Sequence, residues 1–86
     1  MPEISRFYGI IIRMFLREHA PPHFHVQYGD FEAVFSIEPL ALLRGRLPAR
    51  AHRLVVEWGN EHHAELLDDW KLASEHRTLR RIAPLE

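Results

Sequence analysis

Hydrophobic and polar positions alternate most cleanly between His23 and Ser36, and that alternation predicts a β-hairpin. Phe24, Val26 and Tyr28 fall on one face of the first arm, with His23, His25 and Gln27 on the other. Gly29-Asp30 fits a two-residue turn with glycine where positive φ is required. The turn sets the register: Tyr28 opposite Phe31, Val26 opposite Ala33 and Phe24 opposite Phe35 on one side, Gln27 opposite Glu32, His25 opposite Val34 and His23 opposite Ser36 on the other. A one-residue slip would bury the wrong set.

Upstream, Gly9 to Leu16 is short and β-branched at its centre, which predicts a strand with Ile10, Ile12, Met14 and Leu16 on one face and Ile11, Arg13 and Phe15 on the other. Arg17 to Pro22 is a connection that Pro21-Pro22 keeps extended. Leu42 to Leu47 predicts a short fourth strand interrupted by Gly45. Pro48 suits a first helical turn. Beyond it, Ala51, Leu54, Val55, Trp58, His62, Leu66 and Ala73 follow helical spacing, with Glu57, Glu61, Glu65 and Asp68 opposite. This reads as one long helix to about Ser74 or two helices broken at Gly59-Asn60. Because a mid-helix glycine costs only about 1 kcal/mol, one bent helix is the expectation. Leu79 to Leu85 predicts a short strand returning to the sheet. The expected architecture is α+β: a small antiparallel sheet of three to four strands plus a short C-terminal strand, packed by one long or bent helix, in a single domain over residues 1–86.

Composition narrows the function classes. With 47% hydrophobic and 27% charged residues the chain is of ordinary globular type. It has no cysteine, so neither disulfides nor thiolate metal sites are open to it. The longest apolar run, Gly9 to Ile12, is far short of a membrane span, so no membrane partner and a cytoplasmic location are expected. The small size suits a homodimer. A net charge of −1 excludes whole-surface attraction to nucleic acid. The distribution is uneven, however. Ten of the eleven basic residues are arginine, and Arg44, Arg46, Arg50 and Arg53 lie in one short stretch.

Two constellations carry chemistry. His23 and His25 share a strand face, and pairing with the preceding strand would add Arg13. Two imidazoles and a guanidinium are the minimum set for metal-independent RNA cleavage: one ring takes the 2′-hydroxyl proton, one protonates the leaving oxygen, and the arginine steadies the phosphate. The same histidines, with Glu18 and His19 nearby, could instead ligate a metal. Only two ligands are positioned by the pattern, so no metal or other cofactor is expected. The second constellation is Arg44, Arg46, Arg50 and Arg53, a candidate phosphate or partner contact at a helix start. His62, Trp58 and Trp70 read as core residues. Ile11, Phe15 and Val34 beside the histidines suit a protein interface.

The residues Ile4-Ser5-Arg6-Phe7-Tyr8-Gly9, Arg13-Met14, Pro21-Pro22-His23-Phe24-His25, Tyr28-Gly29-Asp30 and Ala33, continued by Leu47-Pro48, Ala51, Trp58, Glu65-Leu66, Trp70 and Ile82-Ala83-Pro84-Leu85, resemble the family catalogued as domain of unknown function 4160. Gly59 and the stretch Pro39 to Leu43 depart from its usual pattern. The resemblance implies a small bacterial protein, often encoded beside another small protein in a toxin–antitoxin-type pair. It supplies no catalytic residues. The leading expectation is the toxin-like half of such a pair, binding a cognate small protein and RNA, with Arg13, His23 and His25 as its catalytic set. The alternatives are a non-catalytic interaction or regulatory module and a histidine-based metal-binding protein.

Overall fold

The computed structural model describes residues 2–16 and 18–86. Five strands form one antiparallel sheet in the order in which they occur: β1 (Glu3–Phe7), β2 (Ile10–Arg13), β3 (His23–Tyr28), β4 (Phe31–Ser36) and β5 (Ala41–Gly45). Two helices follow, α1 (Ala49–Glu61) and α2 (His63–Ser74). No helix is long and apolar enough to cross a membrane among the described residues.

The β3–β4 hairpin has the register that the Gly29-Asp30 turn implies, pair for pair from His23 opposite Ser36 to Tyr28 opposite Phe31. Gly29 sits at φ +57°. Ile10, Ile12, Met14, Phe24, Val26, Ala33 and Phe35 are buried on the inner face of the sheet, against Ala51, Val55, Trp58 and Leu66 of the helices. Leu16 was expected in that row, yet it is 43% exposed. The strand ends at Arg13, so the alternation no longer governs residues beyond it.

The other departures from expectation have local causes. β1 is an additional strand, joined to β2 through the left-handed pair Tyr8 and Gly9. An irregularity between Glu3 and Ser5 breaks its alternation, which hides it from a pattern search. The fourth predicted strand is β5, and it begins at Ala41 and stops at Gly45, earlier than the Leu42–Leu47 expectation. The helical stretch is two helices that meet at His62, whose φ of −113° interrupts the helical geometry. The His62 N–H still reaches Trp58 O, and the Leu66 N–H still reaches His62 O, so the junction is a kink. Gly59 does not break the helix. It lies inside α1, where a Cβ atom would stand 2.8 Å from Leu40 Cδ2. Glycine there gives Leu40 room to pack on the helix.

The expected C-terminal strand is an irregular tail. One backbone bond ties it to the sheet, Ile82 N–H to Ile4 O at 2.7 Å, and Pro84 has no N–H to extend a ladder. Side chains complete the attachment. Ile82 and Leu85 are buried, Trp58 Nε1–H donates to Ala83 O at 2.9 Å, and Arg81 donates to the Glu3 carbonyl and carboxylate. Hydrogen bonds from Arg6 hold the Glu3 carboxyl down at about 2. Asp69 belongs to an acidic stretch in the sequence but is buried in α2, where one carboxylate oxygen accepts the Arg80 N–H at 2.9 Å.

Candidate functional site

With both helices on the inner face, the outer face of the sheet is the surface that strand alternation equips with polar groups. Arg13 lies directly opposite His25 across the β2–β3 pair. Its guanidinium donates to Gln27 Oε1 at 2.6 Å. Phe15 packs its edge on the His25 ring, with centroids 4.6 Å apart. Val34 and Arg44 continue the same surface across β4 and β5. These residues, with Glu32, line a groove of about 450 Å³.

Glu18 supplies the feature that strand periodicity does not predict. The β2–β3 connection folds back so that one oxygen, Glu18 Oε1, lies 2.5 Å from His25 Nε2 and 3.2 Å from His23 Nε2. On its other side, His23 Nδ1 stands 2.8 Å from Pro21 O. A carbonyl only accepts, so His23 Nδ1 carries a hydrogen and donates it. His23 as a whole is 8% exposed, and its ring packs near His25 and the Trp70 ring of α2, at centroid distances of 5.4 and 5.1 Å. Burial works against charge on Glu18, but its contacts with His25 and His23 outweigh that and hold its carboxyl below the ordinary range. The three ligand-type atoms all lie within 4.8 Å of one another.

Sequence position alone does not gather the arginines. Arg44 reaches the outer face and lines both the main groove and a second cavity of about 370 Å³ beside Glu18, His19 and His23. Arg46 lies over the Phe31 ring at 5.4 Å, and Arg50 over the Tyr8 ring at 6.0 Å. Arg50 and Arg53 belong to α1, on the opposite side of the sheet. The reason is the turn at Pro48, which carries the chain from the sheet layer to the helix layer. Among the core histidines and tryptophans, Trp58 is fully buried, while His62 is only half-buried and bonds through Nδ1 to Glu65 at 2.5 Å.

Fold and site together define a small α+β domain: a five-stranded meander with helices on one face and a histidine–carboxylate cluster beside arginines on the other. The chain belongs to the family described as "Domain of unknown function (DUF4160)", whose model matches residues 9–71. That span runs from the start of β2 into α2 and contains the whole outer-face cluster. No curated protein and no solved structure matches the chain significantly.

Proposed function

We propose that this protein is the RNA-binding, toxin-like component of a toxin–antitoxin-type pair, with the outer face of its sheet as the working surface. One observation carries the reading. Arg13 and Arg44 stand on the lining of one groove, with His25 between them on the same face. Two guanidinium groups along an open groove suit consecutive phosphates of a single strand, and Phe15 offers a ring on which a base can stack. The overall charge of −1 then limits binding to this surface and keeps it short.

The catalytic version of the reading assigns proton transfer to His25, backed by Glu18, with Arg13 steadying the phosphate. His23 contributes less, because its Nδ1 is tied to Pro21 and its ring is nearly buried. A separate feature favours a protein partner as well. Every residue of the edge strand β5 is exposed, including Leu42 and Leu43 at 39% and 46%. An open, partly apolar edge accepts an added strand from a cognate small protein.

The test is fluorescence anisotropy with a labelled single-stranded RNA at several salt concentrations, using native protein and Arg13→Gln/Arg44→Gln. Binding that weakens with salt and falls at least tenfold in the double variant is the expected result. Equal binding by the two proteins overturns the reading. Cleavage, if it occurs through free imidazoles, leaves a 2′,3′-cyclic phosphate end and persists in chelator.

A further inference from the structure

His23 poses a problem that needs a positive charge at its Nε2. With its Nδ1 hydrogen given to Pro21 O, the neutral ring has a lone pair at Nε2, and that lone pair faces a carboxylate oxygen at 3.2 Å. Two acceptors directed at each other need positive charge between them. His25 Nε2 converges on the same oxygen from the other side. One added proton on His23 Nε2, with His25 as its Nε2–H tautomer, would satisfy both contacts, whereas a bound cation would engage all three donor atoms at once.

We propose that Glu18, His23 and His25 form a binding site for one divalent transition-metal ion, held through the Nε2 atoms of both imidazoles and a carboxylate oxygen. Three features of the geometry support it. Ligands about 2.1 Å from a tetrahedral ion stand roughly 3.4 Å from each other; the His23–Glu18 separation is already 3.2 Å, and the His25–Glu18 contact at 2.5 Å opens by a side-chain adjustment of Glu18 when an ion enters. The His23 Nδ1–H bond to a backbone carbonyl is the outer contact that metal-ligating histidines make, since it fixes both the tautomer and the ring. Pro21-Pro22 lies next to the strand and makes that carbonyl a stiff acceptor. Nitrogen-rich donors of this kind select zinc, cobalt or nickel over magnesium and calcium, which prefer oxygen. Three protein ligands leave one tetrahedral position for water or a substrate atom, beside the cavity that His19 and Arg44 also line.

The site does not rest on the RNA reading, which depends on Arg13 and Arg44. The two share His25, Glu18 and His23 in the catalytic version, and the His25 ring becomes a ligand and not a free acid–base group when an ion is bound.

The experiment uses untagged full-length protein stripped with chelator. Zn²⁺ is titrated by calorimetry, and Co²⁺ by visible absorbance. One equivalent of each should bind, with cobalt bands of a nitrogen–oxygen site. Glu18→Gln, His23→Gln and His25→Gln should each lose at least tenfold in Zn²⁺ affinity, while His76→Gln, at an exposed position beyond α2, binds as the native chain does. Circular dichroism checks folding. Should His23→Gln fail to fold, Glu18→Gln and His25→Gln carry the test. Absence of stoichiometric binding by the native protein, or native affinity in the folded variants, overturns the site. Arg13→Gln/Arg44→Gln still binds one equivalent of Zn²⁺ with no loss of affinity, which separates this outcome from failure of RNA binding.

Discussion

Replacing Gly45 by alanine should destabilise the fold far more than the same change at Gly29. Both glycines have positive φ, +76° and +57°, and a side chain held there costs about 1–2 kcal/mol. Space distinguishes them. A Cβ on Gly29 would meet nothing within 4 Å, whereas one on Gly45 would stand 2.1 Å from Glu32 O and 2.9 Å from Ala33 Cα. Those atoms are backbone of the central hairpin and cannot rotate away. Relief requires β5 to move off β4, which stretches the Arg46 N–H bond to Glu32 O, now 3.1 Å long. Overpacking of this kind costs about 1–3 kcal/mol and the hydrogen bond about 1 kcal/mol more. The expected loss for Gly45→Ala is therefore about 3–6 kcal/mol, against about 1–2 kcal/mol for Gly29→Ala. A domain of this length has only about 4–13 kcal/mol in total. Urea unfolding followed by far-ultraviolet circular dichroism compares the midpoints directly. If Gly45→Ala loses no more than Gly29→Ala, close approach of the β5 backbone to β4 is not what requires glycine there.

Other outcomes follow from the packing. Gly59→Ala should gain nothing in the native background, because the new Cβ meets Leu40, but should stabilise a Leu40→Ala protein by about 1 kcal/mol through helix propensity; a double-mutant cycle of urea unfolding reads the coupling, and additive effects would contradict the contact. Trp58→Phe should cost about 1–3 kcal/mol, since it removes the bond to Ala83 O and leaves space beside Phe7 and Phe24. Amide exchange at Ile82 should rise in that variant if the indole anchors the tail. Burial raises the Asp69 carboxyl above its ordinary value, so the folded state holds that proton more tightly than the unfolded one. Its favourable contribution is full below the ordinary carboxylate range and is lost as pH climbs through the raised value. Asp69→Asn keeps the acceptor for Arg80 N–H and does not titrate. Its stability relative to native protein should therefore increase from pH 4 to pH 7, and a constant difference would refute the assignment.

Much of the central sheet is legible along the chain, for a stereochemical reason. Successive strand side chains point to opposite faces, and Gly29-Asp30 permits one tight reversal, so His23 and His25 had to share a face opposite Phe24 and Val26. Those rules act over two to four residues and need no knowledge of the rest of the molecule. They fail where the local pattern is interrupted. The irregularity between Glu3 and Ser5 conceals β1, and an irregularity between Val34 and Phe35 accompanies a β5 that differs from its predicted span. Helical spacing likewise marks the face of α1 and α2 that meets the sheet, but not the kink at His62 or the burial of Asp69, because both depend on what lies against the helix.

The site divides along the same line. Period-two geometry places both imidazoles, and β2–β3 pairing brings Arg13 beside them. Only the return path of the loop carries Glu18 over His23 and His25, and only the step from sheet to helix at Pro48 parts Arg44 from Arg50 and Arg53. Neighbours in sequence were separated and distant residues joined because backbone reversals, unlike side-chain alternation, are decided by packing across the whole fold.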